Sequence, residues 1–448
     1  MEELAIMQTG SKLDLPILNN HAAGIDVGSM LMMSSYTNNQ GQQCLLSSNS
    51  YTESLEALAD LLKNEGVISV AMEATGVYWM SLYEILESRG LEVYLVNPRH
   101  FKNVAAQKTD VLDCQWLHNL HAHGMLRNSH IAKDLYRELK NYLHERGNIQ
   151  KQKESTLNRI HRLLTLLNIK YQHLVSDIEG VGSMKLLRAI ARGETRPEKL
   201  LELLDLRRFK ASKESLLSSL EGNCKKEYIN LLRMKLQEYD FFISQMKSYE
   251  ELIEEVLKRL LPVPSTKIST RKRKARKNEF GFNVQGYLKE ITEVDLCAID
   301  GLDEKTVLTI LSVVGIDMNK WPTSQHFTSW LCLSPRIRTS GGKKLGHQKQ
   351  FTRSIASLSF RLAAQSLWNN KGSLGDLYRR LSARKNSKTA IKAVARKIAV
   401  VFYTMLKNKE EYNPKKIEIM TEKQQMHKLR RLQKEAEKLG MLLVAKAS

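Results

Sequence analysis

The stretch AAGIDVGSMLMMSSYTNNQGQQCLLSSN, residues 22–49, decides the fold of the first part of the chain. Residues 22–36 and 43–49 are apolar-rich segments of strand length, and the polar, glycine-containing TNNQGQ between them is typical of a turn. We therefore expect two neighbouring strands that are joined by this turn.

Helix and strand signals alternate from this stretch to residue 128. Residues 53–66 and 79–90 have the apolar periodicity of helices, and each segment ends at a glycine. VISVAMEA and LEVYLVNP are short apolar runs typical of buried strands. Such alternation predicts an α/β layer in which helices pack on a mixed sheet.

Four acidic residues stand out in this layer. Asp26 in GIDVG and Glu73 in AMEATG lie at strand ends, where ligand-binding groups of open α/β sheets gather. Asp110 and Asp113 in KTDVLDCQWLHNL lie one turn apart on one face of a predicted helix. An ordinary helix N-terminus explains this second pair, because carboxylates suit that end of the helix dipole. A divalent metal site explains it too, since two Mg²⁺ ions about 3.5–4 Å apart need converging carboxylates.

Composition is ordinary for a soluble protein. Of the 448 residues, 42% are hydrophobic and 26% are charged, and no uninterrupted apolar run is long enough to span a bilayer. The acidic N-terminus does not have the layout of a signal peptide. The five cysteines are scattered, which argues against a disulfide framework or a zinc ribbon and fits a reducing cytoplasm.

The charge is distributed unevenly. The formal net charge of +21 suggests a polyanionic partner, with nucleic acid as the leading candidate. Residues 1–128 carry 14 acidic and 7 basic side chains, whereas residues 331–409 carry 18 Lys or Arg and one acid, Asp376. A ribosomal-type basic protein would not need the acidic module.

Beyond residue 128 the pattern predicts four further parts. Residues 129–261 have the periodicity of long amphipathic helices, with interruptions that predict an antiparallel coiled-coil hairpin. Residues 262–290 are a basic linker, with seven Lys or Arg and no acid in KISTRKRKARK. Residues 291–412 predict a mostly α-helical domain whose start is similar to a helix-hairpin-helix, although a plain helical hairpin fits equally. Residues 413–448 predict a polar helical tail.

Several motifs occur in the order and at the spacing of a known family. They are GIDVG, the M-E-A-T-G-x-Y-W block, the V-N-P turn and the K-T-D-x-x-D block, followed by GLDEKTVLTILSVVG, SWLCLSPRIRTSGGKK and AIKAVARKIAVVFYTMLK. In these motifs the chain closely resembles the DEDD insertion-sequence transposases, which are related to the pilin-gene invertases. The resemblance implies a RuvC-like domain of the ribonuclease H type at 1–128 and the family's C-terminal transposase domain at 291–412.

The resemblance also assigns roles to individual residues. It implies a set of metal-binding acids, expected to hold two Mg²⁺ ions with Mn²⁺ as a substitute: Asp26, Glu73, Asp110 and Asp113. It further implies that Ser340 in RTSGGKK is a nucleophile. A serine hydroxyl that attacks a phosphodiester needs deprotonation or metal help, and cations to neutralise the phosphate. Ser334 and Ser354 are alternative serines nearby.

Basic side chains near these motifs and in the linker are the expected nucleic-acid contacts. They are Lys108, Arg271, Lys272, Arg273, Lys274, Arg336, Arg338, Lys343, Lys344, Lys349 and Arg353.

The expected function is excision and insertion of a mobile DNA element by Mg²⁺-dependent strand cleavage and transfer. The partners implied are DNA, as element ends and target, and a structured non-coding guide RNA, as in RNA-guided bridge recombinases. The helical hairpin suggests a homo-oligomer, either a dimer or a tetramer. The expected location is the prokaryotic cytoplasm, where the protein would associate with the nucleoid when bound to DNA and would not contact a membrane. The alternatives are a RuvC-like Holliday-junction resolvase or nuclease that uses metal-activated water, and a non-catalytic nucleic-acid-binding protein.

Overall fold

The structure is a computed structural model, and the chain divides into two compact units, residues 1–131 and 132–448. The described residues are 3–4, 16–74, 76–96, 110–126, 128, 134–262, 278–341, 343–348, 354–414 and single positions between 426 and 441.

The first unit is built on a mixed sheet. Its strands are β1 (Glu3–Leu4), β2 (Ala22–Val27), β3 (Leu31–Thr37), β4 (Gln43–Asn49), β5 (Ser69–Glu73) and β6 (Glu92–Val96). Within the described residues they form one six-stranded sheet in the order β1-β4-β3-β2-β5-β6. The first four strands in this order pair antiparallel, whereas β5 is parallel to both β2 and β6.

The stretch predicted as the first strand is a hairpin of two strands, β2 and β3. The Gly28 amide donates a hydrogen bond of 3.0 Å to the Leu31 carbonyl, which closes a tight turn. A Cβ at Gly28 would lie 2.5 Å from that carbonyl oxygen, so the turn requires glycine. The predicted turn between β3 and β4 is present, and Gly41 adopts a left-handed φ of +76° within it.

Helices cover both faces of the sheet. α1 (Thr52–Asn64) and α2 (Trp79–Ser88) share an apolar core with Ile25 on one face. α3 (Asp110–Ala122) packs on the other face and contributes Leu117 and Leu120. This α/β architecture is consistent with the predicted RuvC-like N-terminal domain.

The second unit is largely helical, as predicted. The hairpin of β7 (Arg336–Ser340) and β8 (Lys343–Gln348) interrupts its helices. Those helices are α4 (Asp134–Leu166), α5 (Val181–Ala191), α6 (Pro197–Leu201), α7 (Lys213–Leu220), α8 (Lys226–Leu260), α9 (Val284–Thr292), α10 (Glu304–Val314), α11 (Ser324–Trp330), α12 (Ile355–Ser366), α13 (Ser373–Arg384) and α14 (Ser387–Asn408).

The two longest helices, α4 and α8, run antiparallel along each other. Arg259 Nη1 lies 2.9 Å from Glu138 Oε2 near one end of the pair, and Thr156 Oγ1 donates to Glu238 Oε1 over 2.8 Å further along. The chain between them forms α5, α6 and α7, which share a core with the C-terminal part of α4 and the N-terminal part of α8. The coiled-coil character of the pair stays a prediction.

The remaining helices, α9 to α14, share a core with the C-terminal part of α8. Phe280 and Val284 are buried in this core, so residues 278–290 of the predicted linker are packed against it. The predicted run of basic residues, 267–277, lies outside the described residues. The finer division of 132–448 into helical region, linker, transposase domain and tail stays a prediction.

No helix in the described part of the chain combines the length and the apolar composition needed to cross a membrane.

Candidate active site

Asp26 and Glu73 occupy equivalent positions on two neighbouring parallel strands. Ile25 of β2 pairs with Met72 of β5, and the two acids are the next residues along their strands. Because strand side chains alternate, both acids belong to the face of the sheet that α3 covers. Glu73 is only 6% exposed, and Asp26 is half-buried. Their placement at strand ends agrees with the prediction.

Helix α3 carries the second pair of acids across the same face. The helix approaches β2 so closely that a Cβ on Gly24 would lie 2.3 Å from the His118 amide nitrogen and 2.7 Å from the Cys114 carbonyl oxygen. Asp113 is half-buried and directly precedes Cys114. Asp110 begins the helix one turn earlier, and its side chain lies outside the described residues.

The thiol of Cys114 reports that two of these acids converge. The pKa of this thiol is raised to about 12, first by burial and then by the negative charges of Asp26 and Asp113. A carboxylate on β2 and a carboxylate on α3 therefore act on one buried sulfur atom. The acids thus lie close enough together to share an environment, although they are far apart in sequence.

Ser340 lies at the tip of the β7–β8 hairpin. It is the last residue of β7 and pairs with Lys343, the first residue of β8. Gly341 follows it with a φ of +52°, a conformation that two-residue hairpin turns need and that glycine adopts readily. The RTSGGKK motif thus forms a hairpin within the otherwise helical second unit, and this hairpin leaves Ser340 and Lys343 exposed.

The two alternative serines are less accessible. Ser334 is half-buried, and its Oγ lies 3.0 Å from Thr328 Oγ1. Ser354 is half-buried at the N-cap position of α12. Of the three candidate serines, Ser340 is therefore the most accessible to a polymeric substrate.

Comparison with known families decides which proteins the chain is related to. A DEDD transposase model of the IS110 type matches residues 23–169, and a model of the transposase IS116/IS110/IS902 family matches residues 295–379. The chain belongs to the IS110 family of DEDD transposases. The first match contains the sheet acids and α3, and the second contains the hairpin with Ser340. No curated protein matches the chain.

This family makes the chain an enzyme that acts on DNA as a transposase, and DEDD transposase domains typically depend on a divalent metal ion. The donor chemistry of the transposase fits such an ion, because Asp26, Glu73 and Asp113 supply the hard carboxylate oxygens that Mg²⁺ and Mn²⁺ prefer. Among the side chains that the structure describes, no group of three or more His, Cys, Asp or Glu residues is arranged to hold a metal ion. Asp110 is not one of those side chains.

Two histidines on α3 of the transposase are held in the interior. His118 and His121 are 3% and 4% exposed, and burial lowers the pKa of each imidazole to about 4. Both imidazoles are hydrogen-bonded in these packed positions. Their burial could not be predicted from sequence, because it depends on the close approach at Gly24.

Of the expected nucleic-acid contacts, Lys343 is exposed. The other side chains lie outside the described residues: Lys108, Arg271, Lys272, Arg273, Lys274, Arg336, Arg338, Lys344, Lys349 and Arg353.

The transposase also exposes a group of cations that sequence reasoning missed, at the corner between α13 and α14. The signal was present in YRRLSARKNSK, where basic residues recur from the end of α13 into the first turn of α14. They are Arg380, Arg384, Lys385 and Lys388.

Proposed function

We propose that the transposase excises and inserts a mobile DNA element by divalent-metal-dependent strand cleavage and transfer. In this proposal Asp26, Glu73, Asp110 and Asp113 hold two Mg²⁺ ions, with Mn²⁺ as a substitute. The observation that carries it is geometric: Asp26 and Glu73 lie at the ends of neighbouring strands on the face that α3 covers, and α3, which bears Asp113, rests on β2 at Gly24.

The electrostatics of the acids support a cation. A DNA phosphate and a group of carboxylates repel each other, so the acids favour a phosphodiester only when positive charge lies between them. Bound divalent ions would polarise the phosphate oxygens and stabilise the charge on the attacking and leaving oxygens. The carboxylate side chains would determine where the divalent ions bind, because β2, β5 and α3 hold these side chains on one packed layer.

We propose Ser340 as the nucleophile of the same reaction. Its Oγ would form a bond to phosphorus as the bond to the leaving deoxyribose oxygen breaks, which leaves one DNA strand joined to the serine. Support comes from its exposed position at a hairpin tip and from the exposed Lys343 across the turn, which is suited to neutralise phosphate charge.

We further propose that a structured non-coding RNA guides the choice of DNA and that the active form is a homo-oligomer. The RNA proposal is supported by a positive charge larger than a single short DNA contact requires. The net charge is +21, and the cations between α13 and α14 add to those already expected in the C-terminal part.

The test combines one preparation with matched variants. The full chain is expressed with its native flanking non-coding DNA, co-purified RNA is sequenced, and the preparation is given Mg²⁺ and element-end DNA. We expect one discrete RNA and a covalent protein–DNA adduct with the wild type, and no adduct with Ser340→Ala. Ser334→Ala is the matched control and should form the adduct.

Other outcomes would contradict parts of the proposal. Metal-dependent cleavage that persists in Ser340→Ala without an adduct would indicate a nuclease or resolvase that uses water. Unchanged DNA binding without any cleavage by the wild type, with or without Mg²⁺, would contradict metal-dependent catalysis by these acids.

A further inference from the structure

His118 of α3 makes hydrogen bonds to β3. Its Nδ1 lies 3.0 Å from Ser35 Oγ, and its Nε2 lies 3.1 Å from Thr37 Oγ1. Gln43 Nε2 on β4 lies 3.4 Å from the same Nδ1. Both ring nitrogens of His118 therefore make hydrogen bonds, and their partners lie on the side of β2 opposite β5.

His121, one turn later, contacts strands on the opposite side of β2. Its Nε2 lies 2.8 Å from Ser69 Oγ at the start of β5, and its ring centroid lies 4.6 Å from that of Tyr94 on β6. Asn19 Nδ2 donates to the same Ser69 hydroxyl over 2.6 Å. The two histidines thus attach α3 to strands on both sides of β2.

The backbone of α3 completes this attachment between the two histidines. Gly24 lies on β2 beneath the helix, and the absence of its Cβ lets the backbone at Cys114 and His118 rest directly on the strand. Gly24 fixes the height of the helix above the sheet. The hydrogen bonds of His118 and His121 fix its rotation and its shift along the strands.

We propose that His118 and His121 are positioning residues for the metal-binding acids of α3. Asp110 and Asp113 lie on the first turn of the helix, so any rotation or shift of α3 moves both acids relative to Asp26 and Glu73. A metal site needs its ligands held to within about 0.5 Å, and groups that orient the ligands typically contribute about 10- to 100-fold to metal affinity. This inference rests on the proposed metal site of the preceding section.

The experiment measures metal binding in two ways, directly without DNA and through the metal dependence of DNA cleavage. Mn²⁺ is titrated into the full-length protein and free Mn²⁺ is followed by electron paramagnetic resonance, together with the Mg²⁺ concentration that gives half-maximal strand cleavage. We expect His118→Leu to weaken Mn²⁺ binding about tenfold or more. His118→Gln keeps one hydrogen-bonding group and should recover part of the affinity.

Two further variants separate positioning from stability. Thr37→Val removes the partner of Nε2 from β3 without touching α3, and should weaken Mn²⁺ binding in the same direction even if His118→Leu does not fold. Leu62→Val, in α1 on the opposite face of the sheet, perturbs the core of the same unit and should leave the affinity at the wild-type value.

The outcomes distinguish the two proposals. Wild-type affinity in both His118→Leu and Thr37→Val, or an equal loss in Leu62→Val, would overturn the positioning role while leaving the metal site in place. Absence of Mn²⁺ binding by the wild type, or binding that Asp26→Asn does not weaken, would overturn the metal site itself and this inference with it.

Discussion

Replacing Gly24 with alanine should displace α3 from the sheet. The new Cβ would meet three backbone atoms: the His118 amide nitrogen at 2.3 Å, and the Cys114 carbonyl oxygen and His118 Cα at 2.7 Å each. Ordinary contacts of this kind are about 3.5 Å or longer, so the helix must recede by about 1 Å. Backbone atoms cannot rotate away, in contrast to the end of a flexible side chain.

The magnitude of this effect can be worked out from the same geometry. Overpacking a well-packed core costs typically about 1–3 kcal/mol, and a clash with helix backbone belongs at the upper end, about 3 kcal/mol. A shift of about 1 Å between Asp113 and Asp26 should in addition lower the rate of strand cleavage about 100-fold. Both effects arise from a single added methyl group.

The assays are urea unfolding followed by circular dichroism and Mg²⁺-dependent cleavage of element-end DNA. Gly147→Ala in α4 is the matched control, because a Cβ there meets nothing within 4 Å. This control should gain about 1 kcal/mol of stability from helix propensity and should cleave at the wild-type rate. Wild-type stability and rate in Gly24→Ala would refute the close packing of α3 on β2.

Three further outcomes are expected. Asp26→Asn and Asp113→Asn should each abolish metal-dependent cleavage while DNA binding in a gel-shift assay stays unchanged, and retained cleavage would exclude a metal-binding role for the substituted residue. Arg146→Ala should lower the unfolding free energy by about 3 kcal/mol, because it leaves the half-buried Glu250 without the buried guanidinium that lies 2.6 Å from it. Adding Glu250→Gln should restore part of this loss in urea titrations. Stability should fall as pH decreases from about 6.5 to about 4, because unfolding lets the imidazole of His118 take up a proton that the native state excludes. In a plot of the urea midpoint against pH, His118→Gln should reduce the slope over this range. An unchanged slope would contradict the assignment of this pH dependence to His118.

Local patterns in the sequence were sufficient for most elements of the first unit. The predicted helices end close to Gly66 and Gly90, which adopt left-handed φ values of +76° and +82°. The turn after Val27 was missed, because the apolar residues that follow Gly28 continue the strand pattern without a polar break. A hydrogen bond between Gly28 and Leu31 closes that turn, and its formation depends on pairing that no local pattern shows.

The candidate site was predictable only in part. The end of a strand can be predicted from the residues immediately around it, so Asp26 and Glu73 could be placed at strand ends. The contacts of α3 could not, because they join residues far apart in sequence: Ser35 with His118, and Ser69 with His121. The hairpin that presents Ser340 was hidden for a different reason, since its strands are rich in Lys and Arg and lack a sustained apolar alternation.

The attachment of α3 to the sheet has a consequence for biosynthesis. The acids come from β2, β5 and the start of α3, and the helix is held through His118 and His121 near its far end. A nascent chain that has emerged only as far as β5 therefore carries Asp26 and Glu73 but lacks α3, the helix that covers them and brings the other two acids. In the proposed mechanism, DNA cleavage therefore needs α3 and also the later hairpin with Ser340, and fragments that end before α3 should be harmless to the genome that encodes them.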